Sequence, residues 1–411
     1  VSAARAAGPA DAAARVARVV ISVQALRAFA YGFSAVILGT SLPAQGLSDV
    51  EVGAVFTTML GGMALASFAV GRWGDRLGRR RLYRLLLAVM GGAGAVFALT
   101  SWLPALVIAA LTGTLSTDAN ESGPITTLEQ SMLADAPAEL RSRVYGRYNA
   151  AAYLAGSVGS LVAGGPAAIR RVIHGLPADQ HWLLAFPVLA IAGVAVAAQL
   201  ARIGTDQVVD RFAVGSALGP SRATVRRLAM LFAVDAAAGG LVVQSFLVFW
   251  FHRRFGASTE VMGAVLFGTG LLSAGSSLVA GWLGPRLGLL ETMVFTHIPS
   301  NVLLLLVALM PNLGAAVAVL LARFALSQMD VPARQAMLAV LVQPEERTAA
   351  AGYTNTARYV GRPAGPALAG LLMQRVWIAA PFLVAGGLKI AYDLVVFAAF
   401  RAVPAVRRAR T

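Results

Sequence analysis

The residues most able to do chemistry in this sequence are charged side chains set deep inside apolar segments. Twelve lie there: Arg27, Asp118, Glu121, Glu129, Asp235, Arg323, Asp330, Arg334, Arg358, Arg362, Lys389 and Asp393. An ionisable group surrounded by hydrocarbon is expensive, so it is by default a functional candidate: a solute ligand, a proton carrier or half of a buried pair. Carboxyl groups in dehydrated cavities exchange protons near neutral pH. That makes Asp118, Glu121 and Asp235 the proton-coupling candidates. Read as one helix at about 100° per residue, Thr114, Asp118, Glu121, Ser122 and Glu129 share a face, with about 16 Å of rise from Asp118 to Glu129. Arg323, Ser327, Asp330 and Arg334 share a face of a later segment, and Gln24, Arg27, Tyr31 and Ser34 a face of the first. An offset of 205 carries Asp118 onto Arg323 and Glu129 onto Arg334, and an offset of 208 carries Arg27 onto Asp235. Related positions thus carry opposite charge. Lys389 and Asp393, four apart, read as a local pair. His297 reads as a satisfied core histidine rather than a relay. Arg358 and Arg362 read as ligands of an anionic solute or as partners of Asp330 or Asp393.

The elements that position these residues follow from composition. Hydrophobic residues make up 58% of the 411 positions and charged residues 13%, where a soluble domain carries roughly a quarter charged. The excess apolar surface must face lipid. A membrane span takes about 20 mostly apolar residues. Twelve segments qualify: 19–41, 50–71, 82–102, 105–133, 143–166, 181–202, 225–250, 260–283, 291–310, 313–342, 348–372 and 379–400. The fold class expected is an all-α polytopic membrane protein with twelve transmembrane helices. With the N-terminus cytoplasmic, the tails and inner loops hold 23 basic residues and the outer loops five: Arg170, Arg171, Arg253, Arg254 and Arg375. That bias places both termini inside. It also accounts for the net charge of +15 without nucleic acid. The full-length apolar run after Arg5, Arg15 and Arg18 reads as a true span behind a short tail, not as a cleaved leader. Cysteine is absent, which excludes disulfides, thiolate metal sites and cysteine nucleophiles. Only one of the 34 basic residues is lysine, which points to a GC-rich bacterial genome and a bacterial inner membrane.

The chain repeats itself. Gly71, Gly74, Arg76, Leu77 and Gly78 recur at an offset of 210 as Gly281, Gly284, Arg286, Leu287 and Gly288. Gly146, Asn149, Tyr153, Gly159 and Gly164 recur at 206 as Gly352, Asn355, Tyr359, Gly365 and Gly370. Parallel repeats of this kind mark transporters built as two bundles around a central site. The expected organisation is a tail 1–18, a six-helix bundle 19–202, a cytoplasmic linker 203–224, a second bundle 225–400 and a tail 401–411.

Gly71-Arg72-Trp73-Gly74-Asp75-Arg76-Leu77-Gly78-Arg79-Arg80-Arg81, between the second and third segments, resembles the signature loop of the major facilitator superfamily, and the resemblance covers the whole chain. It implies two pseudo-symmetric bundles and a central cavity lined by segments 1, 4, 7 and 10. The solute-binding residues it implies are Gln24, Arg27, Tyr31, Asp118, Glu121, Asp235, Gln244, Arg323, Asp330 and Arg358. It implies a gate as well. Gly71 and Gly78 allow close approach of segments 2 and 11, Asp75 sits at the positive end of a helix, and Arg76, Arg79 and Arg80 bridge to acids or lipid headgroups. Glu129 and Arg334, at related places across the cavity, are expected to pair when the cytoplasmic side closes. Two features of the family are missing or displaced: Ala109 stands where an arginine is common in segment 4, and the Gly-Pro pattern lies in segment 11 rather than segment 5.

The function these features imply is secondary transport of a small polar or charged solute by alternating access. Coupling to protons and efflux of a drug or metabolite are the first expectation, and uptake of a small anionic or zwitterionic nutrient the alternative. The expected partners are the solute, protons and membrane lipid, with a monomer as the unit and no cofactor or metal. A membrane-embedded enzyme is disfavoured because no His-Glu-x-x-His, nucleophile elbow or phosphate loop is present, and a channel because of the two-half repeat. Substituting Asp75→Asn is expected to cut transport while leaving the amount of folded protein nearly unchanged. Wild-type transport by that variant, measured as flux in proteoliposomes, would remove the closing role.

Overall fold

The fold is that of a computed structural model, which describes residues 9–118, 123–133, 138–203, 218–343 and 346–403. Among these the regular structure is helical throughout. The N-terminal half holds α1 (Pro9–Ala44), α2 (Asp49–Leu77), α3 (Arg79–Leu99), α4 (Leu103–Leu111), α5 (Pro124–Leu133), α6 (Ala138–Ala163), α7 (Gly165–Arg170) and α8 (Ala185–Ala198), with 3-10 turns at Asp179–Leu184 and Gln199–Arg202. The C-terminal half holds α9 (Arg222–Gly240), α10 (Gln244–Phe255), α11 (Thr259–Leu287), α12 (Leu289–Leu309), α13 (Leu313–Leu326), α14 (Asp330–Leu341), α15 (Arg347–Gly361), α16 (Ala364–Arg375) and α17 (Ala380–Phe400). Each of the twelve apolar segments falls on one or two of these helices. Eight spans are long and apolar enough to cross a membrane by length and composition. Large apolar side chains also face outward: Leu65, Phe68, Ile108, Val188, Ile191 and Val360 are each more than 60% exposed. A surface of this kind is stable only against lipid. Helix α1 starts at Pro9, inside the segment expected to be a tail, and most of the expected linker, including Asp206, Asp210 and Arg211, lies outside the described residues.

The repeat seen in the sequence is a repeat of packing. Helix α1 lies along α6 as α9 lies along α15, α3 along α8 as α12 along α17, and α2 along α4 as α11 along α13. The halves then exchange partners, with α2 against α16 and α11 against α6. The paired glycines mark the same places in each half. A Cβ on Gly159 would overlap the Phe29 carbonyl oxygen on α1, and one on Gly365 would overlap the Gly240 backbone at the end of α9. A Cβ on Gly164 would strike Glu260 at the start of α11, and one on Gly370 would strike Asp49 at the start of α2. The first pair closes each half on itself, and the second brings the halves together.

Five of the expected continuous helices are broken, segment 5 at Gly164 between α6 and α7. Segment 4 stops at Leu111 and resumes at Pro124, segment 7 breaks at 241–243, segment 10 at 327–329, and segment 11 between Gly361 and Ala364. The causes are local. Gly113 takes φ +66, a left-handed conformation that costs glycine nothing. The Thr112 hydroxyl donates to the Ala109 carbonyl at 2.7 Å and the Ser116 hydroxyl to the Asp118 carbonyl at 2.7 Å, the side-chain competition that ends helices. Pro124 opens α5 and Pro363 follows the α15 end. The shared face expected for Thr114, Asp118 and Glu129 therefore does not exist as a helical stripe, and Glu121 and Ser122 lie outside the described residues. Irregular backbone at membrane depth is tolerated where protein surrounds it or it lines a cavity.

The contacts between halves gather at the end of the bundle that carries the 45–48 and 256–258 turns. There Gly39 meets Val248, Gly53 meets Pro366, Arg253 pairs with Asp49 at 3.3 Å, and Arg171 pairs with Glu260 at 2.9 Å. Gly159→Ala is expected to lower the thermal stability of the purified protein, since overpacking against backbone costs about 1–3 kcal/mol. Gly92→Ala on α3, where a Cβ meets nothing within 4 Å, is expected to be neutral or better. Equal melting temperatures for the two variants would show that the α1–α6 approach does not need glycine.

Candidate functional site

Two buried charge clusters lie at related places in the two halves. In the N-terminal half, Arg27 on α1 pairs with Glu129 on α5 at 2.6 Å. The Tyr83 hydroxyl donates to Glu129 Oε1 at 2.8 Å and the Tyr148 hydroxyl to Oε2 at 2.7 Å. Arg27 also donates to Gln24 Oε1 and sits 5.2 Å over the Tyr31 ring, whose hydroxyl donates to the Thr114 carbonyl at 2.7 Å. Arg27 is 2% exposed and Glu129 fully buried. The charges are thus paired within the half, as a buried pair requires, although Arg27 Nε, like Arg323 Nε, is buried without a hydrogen bond.

In the C-terminal half the polarity is reversed. Asp235 on α9, at the place of Arg27, accepts from Lys389 Nζ at 2.6 Å, from Arg358 at 3.4 Å and from Arg334 at 3.5 Å. Arg334 on α14, at the place of Glu129, also pairs with Asp330 at 3.2 Å. Unlike its counterpart, this cluster opens on a cavity of about 460 Å³ between the halves. The cavity is lined by Arg323, Arg334, Arg358, Arg362 and Lys389 against Asp118, Asp235 and Asp330, with Tyr153, Gln244, Ser273, His297, Gln328, Asn355 and Tyr359 among its polar neighbours. Among the described residues, five basic side chains thus face three carboxylates. Arg323 makes no ion pair among the described residues. Its guanidinium lies 4.9 Å from the Phe324 ring centroid, and its Nε is buried without a hydrogen bond.

Asp118 stands where the halves meet. It lies in the break after α4, where its Oδ1 accepts the Gln244 amide at 2.7 Å and its Oδ2 pairs with Arg362. Gln244 is the first residue of α10, so the carboxylate also faces a positive helix end. The Ser245 amide donates to the Thr117 carbonyl at 3.0 Å, a second hydrogen bond between the α10 start and the break after α4.

The comparisons with known proteins agree on the architecture. A model of the Major Facilitator Superfamily matches residues 20–329 and again 231–411. The chain belongs to the major facilitator superfamily. This is a family of transporters. The chain is 23% identical over 415 residues to the uncharacterized membrane protein YJR124C of Saccharomyces cerevisiae, covering 92% of this chain and 93% of the relative. Among solved structures it resembles the nucleoside transporter NupG (TM-score 0.73, 14% identity, 94% of this chain and 99% of that one). It also resembles the human organic anion transporter MFSD10 (TM-score 0.63, 18% identity, 93% and 99%).

Set in a major facilitator fold, the expected site residues divide. Asp118, Asp235, Gln244, Arg323, Asp330 and Arg358 line the cavity. Gln24, Arg27 and Tyr31 do not: the Glu129 cluster holds them away from it. In this structure Glu129 pairs with Arg27, and Arg334 with Asp235 and Asp330; the pair expected between Glu129 and Arg334 belongs to the state closed on the cytoplasmic side. Lys389 joins Asp235, and Asp393 accepts from His297 Nδ1 at 2.8 Å and from Asn301 at 3.1 Å, so the local pair on α17 is replaced by two longer-range ones. His297 is hydrogen-bonded in the core as expected, and it also lines the cavity. Arg362 takes Asp118 rather than Asp330 or Asp393. In the signature loop, Gly78 takes φ +82 between α2 and α3 and Gly288 φ +100 between α11 and α12, which accounts for both glycines of the repeat. Arg80 donates to the Leu200 carbonyl at 2.6 Å. Arg79 is buried, Arg76 is exposed, Gly71 faces open space, and the Asp75 side chain lies outside the described residues. Among the described residues no cluster of His, Asp and Glu has the make-up of a metal site.

Breaking the Arg27–Glu129 pair tests its role. Glu129→Gln strands a buried guanidinium and is expected to cost about 3–5 kcal/mol, seen as a lower melting temperature or lost folded protein. Arg27→Met combined with Glu129→Gln leaves no unpaired charge and keeps an acceptor for the tyrosines, so it is expected to recover part of the loss. A double variant no better than Glu129→Gln would show that the pair is not the unit of stability.

Proposed function

We propose that this chain is a secondary transporter of a small anionic solute, coupled to protons and working by alternating access of its two halves. The observation that carries the proposal is the surplus of cations among the described lining residues, where Arg323 makes no ion pair. An anion entering the cavity gains charge-assisted hydrogen bonds that no carboxylate among the described residues supplies to Arg323. A neutral solute gains nothing from that surplus and leaves it uncompensated in a low dielectric.

In this reading the twelve segments are twelve spans, both termini are cytoplasmic, and the bundles 19–202 and 225–400 rock about the central site. The end closed by Asp49–Arg253 and Arg171–Glu260 is then external, and the conformation described is inward-facing. The gate at the other end belongs to the signature loop, with Gly71, Asp75, Arg76, Gly78 and Arg79 closing on segment 11 when the site turns outward. Solute ligands are Arg323 and Arg358, with Gln244 and Asp330 beside them. Asp235 acts as the resident counter-charge of Lys389, Arg334 and Arg358. It is a poor proton carrier, because neutralising it leaves three cations uncompensated. The cation surplus favours the uptake reading, a small anion entering with protons, over efflux of a drug. A monomer in a bacterial inner membrane is the proposed setting, on the composition of the basic residues.

The test is ligand-induced thermal stabilisation of the purified protein with succinate, inorganic phosphate, uridine and xylose as probes. Binding to the folded state raises its stability by mass action. Succinate or phosphate is expected to raise the melting temperature, and Arg323→Gln to weaken that binding at least tenfold, as loss of a charged hydrogen bond does. Stabilisation by uridine or xylose alone would overturn the anion reading.

A further inference from the structure

We propose that His297, backed by Asp393, is the site that takes up the proton coupled to solute movement; the inference rests on the anion-transport reading above. The three described cavity carboxylates are already committed. Asp118 holds Arg362 and the α10 amide, Asp235 holds three cations, and Asp330 holds Arg334. Protonating any of them would strand a buried positive charge. His297 is differently placed. It lines the cavity from α12 yet is only 6% exposed, and Asp393 behind it is fully buried.

The dyad is built to hold one proton more. Asp393 accepts from His297 Nδ1 at 2.8 Å through one oxygen and from Asn301 Nδ2 at 3.1 Å through the other. With Nδ1–H donating to that carboxylate, the tautomer is set and Nε2 keeps its lone pair. Nε2 makes no hydrogen bond to the described residues. A proton from cavity water adds there. One N–H bond forms, no protein bond breaks, and Asp393 compensates the imidazolium formed.

The charged surroundings fix what this does to the cavity. From α17 the dyad is faced by Lys389 and by the Tyr392 ring, 6.4 Å away and edge-on. Asp235 comes from α9, Arg323 from α13, and Asp330 and Arg334 from α14. Helix α11 brings ionisable groups only at its ends, Glu260 and Arg286. Asp393 is therefore the one acid in direct contact with His297, while cations outnumber acids around the cavity. Protonating Nε2 adds a further positive charge to a space with a cation surplus, so proton and anion favour each other's binding. By linkage the favour is reciprocal. Solute and proton then move together, in the same direction.

The experiment follows the four histidines of the full-length protein in lipid nanodiscs by two-bond proton–nitrogen correlation of 15N-labelled imidazole, with His297→Gln to assign the signal. His297 is expected to pass to the imidazolium pattern with a midpoint between about pH 5 and 8, where histidine ordinarily titrates. Asp393→Asn is expected to lower the midpoint by about one pH unit or more, a tenfold loss of proton affinity. Succinate or phosphate is expected to raise it. A His297 that stays neutral down to about pH 5 in the wild-type protein, below its ordinary range, overturns the proposal, whether or not Asp393→Asn folds. So does a midpoint that a bound anion leaves unmoved. If neither anion binds by thermal shift while His297 titrates and depends on Asp393, the anion reading fails and the proton site stands.

Discussion

A charge inside this bundle is costly unless an opposite charge or a polar cavity compensates it, and the rest of the site depends on how that is arranged. The two halves share a fold but not a sign. Arg27 and Glu129 in one half stand where Asp235 and Arg334 stand in the other, and each set pairs across the same two helices. Swapping the sign at both positions preserves the attraction, so a repeated backbone can carry either polarity. The difference lies in the third partners. Tyr83 and Tyr148 are neutral donors that complete the shell of Glu129 and seal it. Lys389 and Arg358 are charged donors that overfill the shell of Asp235, and the excess charge must face a polar space. The cavity lies on that side.

This division explains why so much of the fold and only part of the site can be read from residue types. The repeat offsets reported the packing faithfully: Gly159 and Gly365, like Gly164 and Gly370, mark the same approaches in the two halves. Apolar length located the helices, and the sign inversion at Arg27 and Asp235 was visible as a pattern. The partner of each charge was not visible, because pairing depends on which helices of a half touch, and spacing along one segment says nothing of that. Lys389 is four residues from Asp393, yet it reaches Asp235 on α9. The helix breaks were missed for a related reason. In an apolar run the periodicity of a helix hides short interruptions, and only the run of hydroxyls around Gly113 and the prolines at 124 and 363 hinted at them.

The breaks matter because they supply polar backbone where side chains alone would not suffice. Asp118 is held by the first amide of α10 and by Arg362, which directly precedes Pro363 and α16. A carboxylate from one half is thus bound to a helix end and an arginine of the other, at the depth of the cavity. The outer contacts are of a different kind. Asp49–Arg253 and Arg171–Glu260 join partly exposed groups, and exposed pairs are worth about 0–1 kcal/mol each. The backbone approaches at Gly164 and Gly370 supply shape rather than charge. A closed end held by weak pairs and close packing can open without a large barrier, since the two states of a switch must lie within a few kcal/mol of each other.

The halves are therefore alike in frame and unlike in task. The N-terminal half pairs Arg27 and Glu129 with each other, and among the described residues it contributes Asp118 and Tyr153 to the cavity lining. The C-terminal half exposes five cations and a histidine to the same space. The bond between Asp118 and Arg362 is the charge contact between the halves at the depth of the cavity. Any charge that enters the cavity acts on the partners of Asp118 and Asp235, because Arg362 and Arg358 line it. Of the five cations, Arg362 alone is ion-paired to a described residue of the other half, and Arg334, Arg358 and Lys389 share Asp235 within their own half.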